Sequence, residues 1–410
     1  MSGIQARRVL AAACVAVSAA CLLCGYELIR SVSQSLYIGA YGAVNLPWVM
    51  AGAPLGTLAL IWAYGHVLSM WGARRAMVLT CAGATGAMLL CWWVIGHGSK
   101  FATAVLYILR EGYIVLLVEQ IWAFIDSTFT TEEGRRLNGP ICGVASLGAI
   151  AGGLLVRTLA QSFGSVNLLG LAAASLIPTA VAALAAYQLG GEPQPMLDEL
   201  HGKKGHLGAR TLWRDPVLRR LALLIIATQV VSTVLDLQLS RYVEAAFPEQ
   251  DARTRWFGGF YAVLNIGSAV GQFVAAPLLL QWLCLRAVHV GIPLVHLILV
   301  GISIGKRSLT TAAAALMAFK IMDYSVFRAA KELLYVPMPY DARYRSKELI
   351  DAFGYRLGKG STSALLAVIG RFVVVPTVSL PIIALAALAA WLRLAAAVTR
   401  PCQASRVDER

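Results

Sequence analysis

The chain has 410 residues, of which 58% are hydrophobic and only 14% charged; a soluble globular domain carries roughly 45–50% apolar and about 25% charged residues. With a mean hydropathy of +0.69, that shortage of charge excludes a water-soluble enzyme built on one core. It also excludes a disordered or nucleic-acid-binding chain despite the net charge of +14, because the basic excess has a topological use given below.

A helix that crosses a bilayer takes about 20 mostly apolar residues. In chain order, that length predicts spans at about 9–29, 46–69, 76–97, 101–125, 138–160 and 165–187. A polar stretch follows, then spans at about 217–240, 256–281, 287–305, 309–335, 349–372 and 375–397. The Ala/Leu/Val/Gly runs far exceed the ~10-residue alternating strands of a membrane barrel. The expected fold is therefore all-α and integral to the membrane, with twelve transmembrane helices.

Residues 190–215 hold Gly-Gly-Glu-Pro-Gln-Pro and then His201, Lys203, Lys204, His206, Arg210 and Arg214, which is the chemistry of a solvated linker. The expected domains are an N-terminal six-helix bundle over 1–189, a cytoplasmic linker over 190–215, a C-terminal six-helix bundle over 216–398 and a cytoplasmic tail over 399–410. Six plus six around a basic loop resembles the major facilitator layout. With an even span count both termini share one side, and 20 Lys and Arg residues fall there against 8 in the opposite loops. The positive-inside rule then places both ends in the cytoplasm of a cell whose inner membrane holds the chain. The eight cysteines make no framework, and Cys21 and Cys24 read as small residues inside an apolar helix.

Seven basic residues remain in or beside the spans: Arg30, Arg110, Lys320, Arg328, Lys331, Arg356 and Lys359. Acids accompany them: Glu27, Glu111, Glu119, Asp126, Asp236, Asp323, Glu332 and Asp351. A charge at the bilayer centre costs at least ~2.5–3.5 kcal/mol on insertion scales, so such residues face a partner or a watery path. For each taken singly, a structural ion pair or a snorkelling helix end explains it equally well. At 100° per residue, Lys320, Asp323, Tyr324, Phe327, Arg328, Lys331 and Tyr335 share an arc of ~140° on the tenth span. Glu111, Glu119, Trp122 and Asp126 share ~80° on the fourth, and Asp351, Tyr355 and Lys359 follow one another on the eleventh. Three polar stripes predict a transport path through the bundle. Its basic wall on spans ten and eleven suits an anionic small molecule.

Two short motifs add to the layout. Gly65 to Arg75 (GHVLSMWGARR) resembles the facilitator loop between spans two and three, with Ser69 where an acid is expected. Gly139, Gly148, Gly152 and Gly153 resemble the glycine pattern of facilitator antiporters, for which close helix packing is the plainer explanation. No Walker loop, metal cluster or nucleophile triad is present, so neither an enzyme nor a cofactor is expected.

Lys331 to Lys359 (KELLYVPMPYDARYRSKELIDAFGYRLGK) resembles the Lys-Glu, Tyr-x-Pro, Lys-x-x-Ile-Asp and Gly-Lys pattern of the ATP/ADP translocase family. Trp122 to Leu147 and Asp236 to Gly258 are similar to two further blocks of that family, and the three together cover about a fifth of the chain. The resemblance implies exchange of ATP for ADP, with Lys359 matching a lysine important for transport and Asp236 and Glu111 lying at or near family acids. The first span departs from it: Leu28 to Gln34 keeps Arg30 but has Ser33-Gln34 in place of Lys-Asp.

The expectation is a monomeric alternating-access nucleotide antiporter in the lipid bilayer, with no nucleic-acid partner. Arg30, Lys320, Arg328, Lys331, Lys359, Tyr324 and Trp122 would bind substrate; Glu111, Glu119, Asp126, Asp236, Asp323 and Asp351 would couple or gate. The alternatives are a proton-coupled facilitator for another organic anion or metabolite, and a non-transporting scaffold or sensor on the same frame.

Overall fold

The computed structural model describes residues 3–192, 214–335, 338, 350 and 354–400, and among them the regular structure is helical throughout. The first half contains α1 (Gly3–Tyr41), α2 (Leu46–Gly96), α3 (Lys100–Thr128), α4 (Thr131–Phe163) and α5 (Leu168–Gly190). The second contains α6 (Pro216–Ala246), α7 (Gln250–Val270), α8 (Ala276–Trp282), α9 (Leu285–Gly305), α10 (Leu309–Met322), α11 (Arg328–Tyr335), α12 (Tyr355–Phe372) and α13 (Ser379–Val398). Nine segments among the described residues are long and apolar enough to cross a membrane.

Helix boundaries follow from local chemistry. The sequence Thr130-Thr-Glu-Glu133 starts α4 with a capping box: the Thr130 hydroxyl accepts from the Glu133 amide, and the Glu133 carboxylate accepts from the Thr130 amide. Arg8 of α1 donates to the same carboxylate at 2.8 Å. Ser99 and Ser308 cap α3 and α10 more simply, each side chain accepting from one amide, that of Ala102 and of Thr311. Gly72, at φ 75°, interrupts α2, a conformation that a residue with a Cβ rarely adopts. The 51 residues of α2 measure about 77 Å at 1.5 Å per residue, more than twice a ~30 Å hydrocarbon core. The break at Gly72 therefore separates two lengths, each sufficient for a crossing, where the sequence predicts spans at 46–69 and 76–97.

Two boundaries differ from expectation. The first helix does not end near residue 29 but continues to Tyr41. Ser31, Ser33, Gln34 and Ser35, which lie past the expected end of the apolar run, are all buried. Ser33, Gln34 and Ser35 find hydrogen-bond partners in packing, so the helix need not stop for water. The second difference is in the helical repeat: Gly271–Ala275 and Asp323–Phe327 are π turns, inserted between α7 and α8 and between α10 and α11.

Two compact units result. The first gathers α1, α3, α4, α5, most of α2 and the segment Phe247–Ile266. Its centre is α1, packed on α5, α4 and α3. Small residues allow the closest of these approaches: a Cβ on Gly148 would fall 2.1 Å from the Ala20 carbonyl oxygen, and one on Gly152 2.3 Å from that of Cys24. One on Gly153 would fall 2.8 Å from the backbone nitrogen of Ala262 in α7, whereas Gly139 faces open space. Three of the four glycines thus permit backbone-to-backbone contact, as small residues do between helices in lipid. The cysteines among the described residues, Cys21 and Cys24 included, are free thiols. The second unit gathers Ala43–Ala51, α6, the end of α7 and the helices after it, with α13 packed on α6 and α9 and α10 packed on both α6 and α9.

Candidate functional site

In the first unit, Tyr26, Glu27, Arg30, Ser33 and Gln34 recur at helical spacing on α1, and α3 meets them with Tyr107, Arg110 and Glu111. Arg110 is 3% exposed. Its Nη1 donates to the Arg30 carbonyl at 2.8 Å and to Ser33 Oγ at 3.0 Å, and its Nη2 donates to Gln34 Oε1 at 3.0 Å. Its Nε reaches Glu111 Oε1 at 3.3 Å, and its guanidinium carbon lies 3.7 Å from the centroid of the Tyr107 ring. Interhelical hydrogen bonds within a membrane contribute ~0.6–2 kcal/mol each. Several together offset the ~2.5–3.5 kcal/mol insertion cost of the charge. Arg110 therefore fastens α3 to α1.

Arg30 is held differently. It pairs with Glu27 at 3.3 Å, and its guanidinium carbon lies 3.8 Å from the centroid of Tyr261 on α7 and 5.8 Å from that of Tyr26. Glu27 is buried, and its second oxygen, Oε2, has no hydrogen-bond partner. A planar cation on an aromatic face with a displaceable carboxylate can exchange that carboxylate for phosphate. Arg30 precedes Tyr41 by eleven residues and Arg110 follows Lys100 by ten. At 1.5 Å per residue both lie about 15–17 Å from those helix ends, roughly half of a ~30 Å core.

The second unit repeats this depth along its own helices: Asp236 precedes Ala246 by ten residues and Lys320 follows Leu309 by eleven. Lys320 Nζ donates to Ser232 Oγ of α6 at 2.8 Å and lies 5.4 Å from the Tyr324 ring. Lys331 is buried with its ammonium 5.2 Å from the Tyr355 ring of α12 and 4.0 Å from the Glu332 carboxylate. Asp323 is buried at the head of the π turn, Asp236 and Lys359 are half-buried, and Arg328 is exposed. The expected stripe on the tenth span is therefore divided. The π turn advances each residue by less than 100°, so Lys320 turns toward α6 while Phe327 turns toward α9 and α13.

On α3, Glu111 is committed to Arg110, Glu119 and Asp126 are exposed, and Trp122 packs on the apolar cluster of the first unit. Asp351 lies outside the described residues. Sequence reasoning gave no role to Glu27, Arg110, Tyr261, Ser33 or Gln34. The i, i+3, i+4, i+7 recurrence of polar residues from Glu27 to Gln34 was the available signal, and it requires a helix that continues past residue 29.

The comparisons with known proteins bear on this site. Residues 295–400 match the family model of the TLC ATP/ADP transporters. The ADP,ATP carrier protein 3 of Rickettsia bellii is 23% identical over 336 residues, which is 70% of this chain and 66% of that carrier. The protein of the same name from Rickettsia felis is 22% identical over the same shares. This chain resembles the ATP/ADP carriers. It spans just under two thirds of the length of the carriers it matches. The nucleoside transporter NupG superposes with a TM-score of 0.70 over 95% of this chain and 99% of its own, at 11% identity. A bacterial homologue of the iron transporter ferroportin, solved facing inward, does so with a TM-score of 0.63 over 93% and 98%, at 14% identity. At such identities these neighbours give the fold alone, which is all-α and major facilitator-like. With its long apolar helices, the chain is a multi-pass membrane protein.

Lys320, Arg328, Lys331 and Lys359 all fall within the residues that match the ATP/ADP transporter model. In the first span, Ser33 and Gln34 both accept hydrogen bonds from Arg110.

Proposed function

We propose that this chain is a twelve-pass inner-membrane carrier that exchanges anionic nucleotides, ATP against ADP, by alternating access, with both termini in the cytoplasm. The observation that carries the proposal is the Arg30–Arg110 pair on α1 and α3, two guanidinium groups ten or eleven residues in from a helix end. In this assignment Arg30 binds substrate phosphate, displacing Glu27, and Arg110 positions the α1 segment that carries it. Tyr261 and Tyr26 offer ring faces to the guanidinium and to a nucleobase. Lys320, Lys331, Lys359 and Arg328 supply further positive charge, Tyr324 and Trp122 supply ring faces, and Glu111, Glu119, Asp126, Asp236, Asp323 and Asp351 balance or gate that charge. An empty carrier that reorients moves unmatched buried charge through lipid, so a counter-substrate lowers the cost of return.

Alternating access also needs contacts that open and close, and the first unit supplies candidates. Arg253 of α7, 3% exposed, donates to the Ser35 carbonyl of α1 at 3.1 Å and to Ser35 Oγ at 3.2 Å. Nearby, Ser165 donates through its amide, at 2.9 Å, and through its hydroxyl to the Asp251 carboxylate. These neutral and singly charged hydrogen bonds can be exchanged for water when the segment moves. In preloaded proteoliposomes, labelled ATP uptake is expected to require internal ADP or ATP. Uptake indifferent to internal nucleotide removes the exchange assignment, and absence of nucleotide uptake removes the substrate.

Glu27 favours a second function, proton-coupled transport of another organic anion. Its unpartnered Oε2 beside Arg30 is a place for a proton when phosphate or carboxylate takes the arginine. Anion uptake driven by a pH gradient into empty vesicles, lost in Glu27→Gln, would select this function over exchange.

A further inference from the structure

The second unit buries a set of polar atoms that, Asp323 apart, neither assignment above uses. His289 and His296 lie seven residues apart on one face of α9, and each is 1% exposed. His296 meets Phe319 at 5.2 Å and Trp391 of α13 at 5.8 Å between ring centroids, and His289 meets Phe327 at 6.2 Å. Trp391 closes the column, 6.1 Å from Phe319 and 5.3 Å from Phe327. Phe319, Asp323 and Phe327 follow at i, i+4 and i+8, and Asp323 is buried. Both ring nitrogens of His296, Nε2 of His289, Nε1 of Trp391 and Oδ1 of Asp323 have no hydrogen-bond partner.

Phenylalanine or leucine would fill such a column without an unsatisfied donor or acceptor, so the polar atoms require a partner that the packing does not supply. The backbone is also adjusted here. The π turn starts at Asp323, and the second π turn lies against it: a Cβ on Gly271 would fall 2.5 Å from Ser325 Oγ. π turns concentrate at functional sites because they re-aim side chains within a continuous helix.

We propose that His296, with His289 and Trp391, forms a proton-binding site inside the second unit. A hydronium ion donates its proton to one ring nitrogen of His296 and leaves water; no other bond breaks. The imidazolium then has the Phe319 and Trp391 ring faces to stabilise it. Lys320, Arg328 and Lys331 are close enough to act on the Asp323 carboxylate, and among the described residues none of the charged groups on the packed elements is bonded to the histidines. Lys320 donates to Ser232, the Lys331 ammonium lies on the Tyr355 ring, and Arg328 and Arg393 are exposed. Glu332 lies beside Lys331, Arg286 is one turn before His289, and α8 carries no titratable group. Protonation thus acts where α9, α10 and α13 pack together, and makes the conformational equilibrium of the second unit depend on pH.

The proposal rests on the carrier assignment only for its consequence, not for the site itself, and its test is independent of substrate. In lipid nanodiscs, the Trp391 component of the fluorescence, taken as wild type minus Trp391→Phe, is expected to fall as pH is lowered from about 8 to 4, because an imidazolium quenches an adjacent indole. His296→Gln is expected to abolish that fall. If His296→Gln does not fold, NMR of the wild-type protein with ¹⁵N-labelled histidine reads the same protonation directly. A Trp391 component and histidine signals that stay constant over the range would overturn the proposal. Failure of nucleotide exchange would leave these signals untouched, so the two assignments fail separately.

Discussion

Arg30 and Arg110 occupy comparable depths on neighbouring helices, and their surroundings predict opposite responses to substitution. Arg110 is wrapped by Arg30 O, Ser33, Gln34, Glu111 and Tyr107. Arg110→Ala removes those hydrogen bonds and the pairing with Glu111, and breaking a buried pair costs ~3–5 kcal/mol. A fall in the melting temperature of the detergent-purified protein, only partly restored by Arg110→Lys, is the expected result; an unchanged melting curve would contradict the fastening role. Arg30→Gln removes one pairing with Glu27 and the face of Tyr261. There the fold should survive while nucleotide affinity drops about 10- to 100-fold, corresponding to ~1.5–3 kcal/mol for a charge-assisted bond. Isothermal titration calorimetry with ATP checks it, and equal affinity in both proteins would remove Arg30 from the site.

Helices and their contacts are where composition says most about the fold and least about the site. The break in α2 was legible because Gly72 sits between two apolar runs, each of spanning length. Gly72→Ala forces a left-handed backbone on a residue with a Cβ, at ~1–2 kcal/mol, and is expected to lower the melting temperature modestly. The end of α1 was not legible: polarity after residue 29 marks a loop only where water solvates it, and here Ser31, Ser33, Gln34 and Ser35 are buried. The two π turns were hidden for a related reason. A uniform 100° wheel keeps Lys320 and Phe327 on one stripe, and a single inserted residue parts them. The glycines of α4 carried a packing signal that holds at Gly148, Gly152 and Gly153 and not at Gly139. Gly152→Val should therefore prevent α1 and α4 from closing and reduce the folded yield, whereas Gly139→Ala, facing open space, should leave yield and melting unchanged. Equal yields for the two variants would show that the close approach of α1 and α4 is not required.

At the scale of the whole molecule, the span pattern and charge shortage are enough to read a helical membrane protein, and the fold comparisons agree at TM-scores of 0.62 to 0.70. Substrate chemistry is a finer property. It depends on which of the intramembrane charges are consumed by structure, and Arg110 with Glu111 shows that residues equal in sequence can differ in availability. The charge inventory alone names fifteen candidates; partners and burial single out Arg30 as the arginine whose carboxylate partner an incoming phosphate can replace. The most direct measurement is uptake of labelled ATP by proteoliposomes containing wild type or Arg30→Gln, with and without internal ADP. The carrier assignment predicts uptake only with internal nucleotide and at least a tenfold loss in the variant. Uptake that is the same with empty vesicles, or the same in the variant, would contradict it.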